Sequence, residues 1–455
     1  MDYTINDLEK WNDKIEIIAK ESDLDYYPQE FEIVNFNEMI AYEAYSGMPS
    51  RYPHWSFGKS FEKTKTLHKY NLTGLPYEMV INSDPCIAYL MNDNTLLLQI
   101  LTMAHVYGHN DFFKNNRLFK EGTKAYNTLE MFKNHGMMIR NYINDPSIGY
   151  DNVEKMLNAA HSIRFQVSRT MGQKRKENHI LRQEMIDDYK ESSTHYSILE
   201  PRVEVEPPDF NKIPLQSEDN ILYFISVYSD LEDWQKNIIN IVREESQYFA
   251  PQIETKIMNE GWASYWHYNI LKKLQLPPPL HLEFIKRHND VVRPILGGLN
   301  PYHLGFEIFC DLKERYGEEK IFKVREFDRD ASFIRRYLTR ETCQKLNLFE
   351  YCKQGYEYIV KEVADEDGWE VIRNALADSA GMGSVPYIRV MDMSKKEKIL
   401  TLEHVYDGRE LHAKYLEETL RYIQDLWGRK VILKTKLRDR FVNIVCDEQK
   451  NIKLL

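Results

Sequence analysis

The sequence predicts a mainly α protein, with a large helical domain at residues 1–380 and a small α+β domain at residues 385–455. Before about residue 380, apolar side chains recur at the spacing of amphipathic helices in most segments. Beyond that point, short runs rich in β-branched residues flank a single helical segment, which is the pattern of a small α+β unit. Gly381-Met382-Gly383-Ser384 separates the two patterns and is predicted to be the hinge.

The composition is typical of a soluble globular protein and argues against several other classes. Of the 455 residues, 43% are hydrophobic and 29% are charged. A net charge of -10 argues against general nucleic-acid binding, because neutralising phosphates requires a basic surface. No uncharged apolar run is long enough to span a membrane, and the first residues do not resemble a signal peptide. The five cysteines are scattered without a Cys-x-x-Cys pair, so we expect a reduced, cytoplasmic compartment.

The helical domain is predicted to begin with an amphipathic helix at residues 4–22, whose apolar side carries Leu8, Trp11 and Ile15. Two further helices are predicted at residues 32–45 and 61–70. A short strand is predicted at Tyr77–Ile81, and Asn82-Ser83-Asp84-Pro85 predicts a turn after it.

Residues 47–59 lie between the second and third of these helices. Two glycines and two prolines exclude regular structure across this segment. Loops that concentrate charged and aromatic residues often line functional sites, so Arg51 and His54 are candidate substrate-binding residues. The alternative is a well-packed aromatic loop without a functional role.

The next element is a helix within residues 94–116 that has no charged side chain from Thr95 to Gly108. A helix that is apolar on all sides belongs in the middle of a protein. His105 and His109 are four residues apart, so both rings project from the same buried face. Two histidines at this spacing on one helix are a frequent beginning of a zinc site.

A second segment, Met258–His267, contains Glu260 as its one acidic residue among several aromatic ones. A carboxylate in such surroundings is costly unless it is paired or bound to metal. His105, His109 and Glu260 are therefore candidate ligands of a metal, most simply zinc, and either His267 or a water molecule is the candidate fourth ligand. The alternative is a buried hydrogen-bond network, since backbone carbonyls or some of the 30 tyrosines can satisfy buried histidines.

The remaining elements follow the same patterns. Helices are predicted at residues 122–143, 151–168, 231–249 and 253–273, with Pro251 ending or kinking the third of them. Residues 169–220 are charged and weakly apolar, which predicts a projecting helix followed by a connector. Further helices at residues 281–381 are expected to be scaffold. The C-terminal domain is predicted to have strands at residues 387–390, 399–405, 431–435 and 441–445 around a helix at residues 410–427.

Several long segments resemble the stage V sporulation protein R (SpoVR) family, and the resemblance covers nearly the whole chain. They are residues 47–59, 104–116, 231–235, 256–267 and 300–302. The resemblance implies a cytosolic bacterial protein that is needed for normal formation of the spore cortex, a modified peptidoglycan layer. The resemblance does not imply one particular biochemical activity.

A weaker resemblance concerns chemistry. The His-x-x-x-His pair followed by Glu260-Gly261-Trp262-Ala263 is similar to the gluzincin metallopeptidases, and it implies a metallopeptidase-like buried helix pair. By position, this resemblance assigns His105, His109 and Glu260 as zinc ligands. Val106 stands where those enzymes have the Glu that activates water, and a valine cannot accept a proton. The candidates for that general base elsewhere in the chain are Glu245 and Asp111.

Three hypotheses follow. The first is a zinc-dependent hydrolase that cleaves a peptide, amide or peptidoglycan-precursor bond, with Arg51 and His54 orienting the substrate. The second is a non-catalytic zinc scaffold that acts through an unknown protein partner, with residues 169–200 and the C-terminal domain as docking surfaces. The third is a metal-free sporulation factor in which the histidines and Glu260 form a hydrogen-bond network.

Overall fold

The computed structural model describes residues 3–70, 78–194, 206–295, 298–354 and 357–455. It confirms the predicted fold class, which is mainly α with a small C-terminal α+β part. Tyr77, the first residue of the predicted strand, and residues 195–205 of the predicted charged segment lie outside the described residues. None of the described helices combines the length and apolar composition that a membrane span requires.

The elements up to the histidine-bearing helix alternate between helices and short strands. In chain order they are α1 Ile5–Glu21, β1 Gln29–Val34, α2 Phe36–Ala44, α3 Trp55–Lys69, β2 Glu78–Ile81, β3 Cys86–Met91 and α4 Leu96–Asn115. The three strands form one sheet in the order β1-β3-β2, with β1 parallel and β2 antiparallel to β3.

The elements after α4 are almost all helical up to residue 345. They are α5 Arg117–Gly122, α6 Thr128–Asn144, α7 Tyr150–Ser162, α8 Asn178–Thr194, α9 Ile221–Tyr228, α10 Asp233–Glu254, α11 Lys256–Lys273, α12 Pro278–Val291, α13 Pro301–Tyr316, α14 Glu318–Phe327, α15 Asp330–Tyr337 and α16 Arg340–Lys345. The elements that follow are β4 Phe349–Gln354, β5 Glu357–Val363, α17 Gly368–Ser379, β6 Ile388–Met393, β7 Leu400–His404, α18 Ala413–Trp427, β8 Val431–Leu437, β9 Arg440–Cys446 and β10 Ile452–Leu454.

Several element predictions were wrong, and pairing or capping between segments explains most of them. The predicted helix at residues 32–45 is in fact the end of β1 and then α2, because residues 29–34 pair in register with β3. Helix α3 begins inside the predicted loop, at Trp55, where the His54 side chain caps it. Helix α10 continues past Pro251 to Glu254, and the hairpin β4–β5 was not predicted.

Contacts divide the chain into two compact units. One contains Met1–Arg140 and Tyr248–Ser384, and the other contains Asn141–Gln247 and Val385–Leu455. The second unit holds the sheet β10-β9-β8-β7-β6 and the helix α18, which packs beside α7. Compact packing therefore groups the C-terminal segment with residues 141–247, whereas the sequence-based division assigned those residues to the helical domain. No described side chain of α8 is buried.

Helix α4 lies at the centre of the first unit, as its charge-free composition predicted. Thr95 caps its first turn, and every residue from Leu97 to Phe113 is buried. It packs directly on α11, where a Cβ on Gly108 would come within 2.7 Å of Ala263 Cα. Helix α11 packs as closely against α13 on another side, through Gly305. These close contacts, which require glycine, hold the acidic residue of α11 against the histidine-bearing face of α4.

Candidate metal centre

Helix α4 presents both histidines to α11, as the spacing predicted. The two rings lie 4.6 Å apart between centroids. Glu260 Oε2 is 3.7 Å from His105 Nε2 and 3.5 Å from His109 Nε2. The two helices therefore bring two ring nitrogens and one carboxylate oxygen to a common point.

Glu78 of strand β2 joins this group, although the sequence-based reasoning missed it. Its Oε1 lies 3.9 Å from His105 Nε2. One ligand atom each from Glu78, His105 and His109 fall within 4.8 Å of one another. Glu78 is a carboxylate in a short apolar strand, so the rule that singled out Glu260 was also able to find it.

Two atoms at this point are buried without a hydrogen-bond partner among the described residues, and both belong to the proposed ligand set. They are His105 Nε2 and Glu260 Oε2. A buried polar atom left unsatisfied costs about 1–3 kcal/mol, so such a pair needs an explanation. Separations of 3.5–3.7 Å between Glu260 and the two imidazoles are long for hydrogen bonds, but they suit ligands that share one ion at about 2 Å each. The residues present therefore fit a divalent cation such as zinc.

The other nitrogen of each candidate ligand histidine is held by a hydrogen bond. His109 Nδ1 lies 2.9 Å from Asn259 Oδ1, which can only accept, so His109 carries its hydrogen on Nδ1. Its Nε2 lone pair is then directed at the centre. His105 Nδ1 lies 2.9 Å from His267 Nδ1. Such outer hydrogen bonds orient metal-binding imidazoles and fix which nitrogen is free to bind.

His267 is therefore not placed to be the fourth ligand. It is fully buried behind His105, and its second nitrogen lies 2.9 Å from His288 Nδ1. Both of its nitrogens are occupied by other imidazoles. The physical reason is helical rise, since seven residues separate His267 from Glu260 and advance a helix by about 10.5 Å.

Burial shapes the protonation of the centre. Burial raises the pKa of Glu78 to about 7, with His105 opposing and Glu260 reinforcing the change. Burial acts in the same direction on Glu260, but the facing imidazoles of His105 and His109 outweigh it and hold its pKa below the usual value. Burial, reinforced by His105, lowers the pKa of His109 to about 4. The imidazole of His109 is therefore neutral near pH 7, as metal binding requires.

The centre opens on a cavity of about 640 Å³. Its polar lining includes Glu78, His109, Gln252, Lys256, Asn259, Glu260, Tyr302 and Asp330. Its apolar lining includes Val80, Phe113, Phe249, Ile253 and Ile257. A candidate metal centre at one wall of a cavity of this size is accessible to a small substrate or to one residue of a chain.

Family models cover nearly the whole chain. The model described as SpoVR like protein matches residues 2–385, and the model described as SpoVR-like C-terminal domain matches residues 386–438. The chain belongs to the SpoVR family. A relative from Escherichia coli (strain K12), which bears the name Uncharacterized protein YcgB, is 34% identical over 489 residues, covering 98% of this chain and 94% of that protein. No solved structure matches the chain.

Two of the segments that resembled the SpoVR family, residues 104–116 and 256–267, are the ones that meet at the centre. Asp111 lies in the first of them but has a different role from the proposed general base. It is fully buried, accepts a hydrogen bond from Trp262 Nε1 at 2.8 Å, and lies 3.3 Å from Arg325 Nε. It is not among the described residues that line the cavity. Asp111 thus joins α4 to α11 and α14 and is not placed for the predicted role in proton transfer.

Glu245, the other candidate base, belongs to the second compact unit of this SpoVR family chain. Its side chain is buried on α10, and it is not among the described residues that line the cavity. In the sequence it is one of two adjacent acidic residues in a largely apolar helix. That pattern holds for many buried carboxylates and does not specify which site they face.

The loop at residues 47–59, which also resembles the SpoVR family, has a packing role in this structure. The guanidinium of Arg51 lies 4.9–5.7 Å from the ring centroids of four aromatic residues. These are Tyr52, Phe57, Phe132 and Phe249. His54 caps α3 by accepting from the backbone N–H of Ser56 at 3.3 Å. Neither residue is among the described residues that line the cavity. The structure therefore favours the alternative of a packed aromatic loop over the predicted substrate-binding role.

Proposed function

We propose that this protein is a metal-dependent hydrolase that cleaves a peptide or amide bond, and that its substrate belongs to the peptidoglycan of the spore cortex or its precursors. Membership of the SpoVR family suggests the role in sporulation. The observation that carries the chemistry is the pair of unpartnered buried atoms, His105 Nε2 and Glu260 Oε2, which face one point beside a large cavity.

In this proposal His105, His109 and Glu260 hold zinc. When bound at such a site, zinc polarises a carbonyl and lowers the pKa of a coordinated water to about 7. The ring of Tyr302 stacks on that of His105, with centroids 6.0 Å apart, and Tyr302 lines the same cavity. Asn259 holds His109 by a hydrogen bond to Nδ1.

Glu78 takes the role that Val106 cannot perform. Its carboxylate lies beside His105 and also lines the cavity, so it can reach both the centre and a bound substrate. It accepts a proton from the attacking water as the new C–O bond forms at the substrate carbonyl. It then delivers that proton to the leaving nitrogen as the C–N bond breaks. One water is consumed, and an acid and an amine are released.

The cavity wall indicates what a substrate must carry. Lys256 is the basic residue among the described lining residues, and Gln252 lies on the preceding helix. These two side chains replace Arg51 and His54 as the candidate substrate-orienting groups, and Lys256 favours a substrate with a carboxylate. The apolar side, which includes Phe113 and Ile253, provides a surface for a small aliphatic side chain.

The test is hydrolysis of carboxylate-bearing peptides by the full chain loaded with zinc. We expect Glu78→Gln to retain its metal and lose at least 100-fold in kcat, which is the scale of a general base. His179→Gln, an exposed residue of α8 in the other compact unit, is the control and should behave as wild type. Full activity in a metal-loaded Glu78→Gln variant would exclude the proposed mechanism.

The second candidate is a zinc-binding scaffold that acts through a protein partner during sporulation. Val106 favours it, because the helix lacks the water-activating Glu of the enzymes that it resembles. In that case, a strain carrying Glu78→Gln should form spores normally while one carrying His109→Ala should not. The hydrolase proposal requires both strains to fail.

A further inference from the structure

A row of three histidines runs from the candidate metal centre into the protein and on to helix α12. His105 Nδ1 lies 2.9 Å from His267 Nδ1, and His267 Nε2 lies 2.9 Å from His288 Nδ1. We propose, on the basis of the metal site proposed above, that this row of histidines sets the tautomer of His105. His288 is the positioning residue that makes Nε2 of His105 available to zinc.

The two hydrogen bonds of this row must run in the same direction, because each contact joins two ring nitrogens. A neutral imidazole has one N–H donor and one acceptor, so each contact needs a hydrogen on one side only. If His105 donates from Nδ1, then His267 must accept at Nδ1 and donate from Nε2, and His288 must accept at Nδ1. If the direction is reversed, His105 carries its hydrogen on Nε2. A protonated Nε2 cannot bind a metal.

The rings of His267 and His288 have little freedom to turn away from these contacts. His267 is fully buried on α11, and His288 is 5% exposed. The ring of His288 lies 4.6 Å from that of Tyr268 and 5.0 Å from that of Phe306, between centroids.

The two ligand histidines are therefore oriented in different ways. His109 contacts an amide oxygen, Asn259 Oδ1. This oxygen can only accept a hydrogen bond, independently of its surroundings. His105 meets another imidazole, which can either accept or donate. When His105 binds zinc through Nε2, both contacts must run in the first direction, so His288 must accept at Nδ1. A residue that touches neither metal nor substrate thus controls affinity for the metal.

The experiment measures the zinc affinity of the full chain by competition with a chromophoric chelator. In His288→Leu the acceptor is gone, and we expect zinc to bind at least tenfold more weakly, the scale seen for partners of metal-binding histidines. In His288→Asn the side-chain oxygen stands near the position of Nδ1, so affinity should stay close to wild type. His281→Leu, on the same helix and exposed, is the control and should match wild type.

The Co²⁺ absorption spectrum is a second readout, because it reports the ligands rather than the fold. It should be unchanged in His288→Asn, since His105, His109 and Glu260 remain in place. If His288→Leu does not fold by circular dichroism, His288→Gln replaces it, because the Gln oxygen lies near Nε2 instead of Nδ1. If the His288→Gln variant then binds zinc as tightly as the His288→Asn variant, the inference is overturned.

Two failures are distinguishable. If wild type binds neither Zn²⁺ nor Co²⁺, the proposed metal site itself is wrong, and the role of His288 falls with it. If wild type binds zinc and His288→Leu binds it equally well, the metal site stands and only the positioning role is overturned. Weaker binding in His288→Leu that His288→Asn restores supports the inference, because loss of packing alone would affect both variants.

Discussion

Glu78 Oε1 lies 3.9 Å from His105 Nε2, although one residue belongs to strand β2 and the other to helix α4. The sheet β1-β3-β2 brings this carboxylate to the side of the histidine pair that faces the cavity. The His-x-x-x-His helix itself has only Val106 next to its first histidine. The carboxylate that the helix lacks is therefore supplied by a separate part of the fold.

Asp111 is predicted to stabilise the fold and to have no part in proton transfer. Asp111→Asn removes the charge that faces the buried Arg325, so we expect the free energy of unfolding to fall by about 3 kcal/mol or more. Asp25→Asn is the control, because its ion pair with Lys114 is exposed and such a pair is worth less than about 1 kcal/mol. Urea unfolding measures both. Equal stability of the two variants would contradict this role.

Gly108 is predicted to set the distance between α4 and α11. In Gly108→Ala the new Cβ meets backbone of α11 at 2.7 Å, so the helices must separate, at a cost of about 1–3 kcal/mol. Gly58 is the matched control because it is also helical, and a Cβ there would meet nothing within 4 Å. Gly58→Ala should be neutral or stabilise by about 0.5–1 kcal/mol. Urea unfolding of the two variants decides, and a similar loss in both would refute the close contact.

Arg51 is predicted to support structure rather than bind substrate. Four aromatic rings surround its guanidinium in a buried setting, so Arg51→Ala should lower the free energy of unfolding by about 2 kcal/mol or more. Zinc affinity and KM for any substrate should change little in the fraction that remains folded. Lys59→Ala, whose amine lies 5.7 Å from the Trp55 ring on the surface, is the control. A stable variant with a strongly raised KM would restore the substrate-binding role.

The C-terminal sheet is predicted to lose stability in mild acid through His404. Burial lowers the pKa of His404, and its Nδ1 lies 3.0 Å from Thr435 Oγ1. The unfolded chain therefore takes up a proton at a higher pH than the folded chain, so stability is present above the ordinary pKa of about 6.5 and declines as pH falls below it. His404→Asn keeps an acceptor for Thr435 but cannot titrate.

Hydrogen exchange of the β7 amides against urea measures this effect in the second compact unit. Between about pH 7 and about pH 5, wild type should lose more protection than His404→Asn. His179→Asn, on an exposed residue, controls for the general effect of losing one histidine. An equal loss in wild type and His404→Asn would show that His404 does not contribute.

The parts of the centre carried by single segments were predictable from the sequence. A charge-free run identified α4 as a buried helix, and helical spacing placed His105 and His109 on one face. Glu260 was predictable because a carboxylate among aromatic residues needs a partner. The placement of these three residues was predictable because it depends on local periodicity and on the cost of burying charge, which hold before the tertiary structure is known.

The remaining parts depend on contacts between distant segments. Glu78 reaches the centre only through the pairing of β2 with β3, and β3 itself was not predicted. His267 lies on nearly the same helical face as Glu260, but helical rise carries it past the centre to His288. Arg51 stands in a loop of the kind that often lines a site, yet the rings that enclose it come partly from α6 and α10. Residue type alone does not distinguish these roles.

The most direct test is the metal content of the full chain, purified without chelators and measured by elemental analysis beside His109→Ala and the exposed control His179→Ala. We predict about one zinc or similar divalent ion per chain in wild type and in the control. His109→Ala should lose most of that metal while keeping its helical circular dichroism. Wild-type protein that holds no metal, even after incubation with zinc, or His109→Ala protein that holds as much as wild type, would contradict the proposed centre.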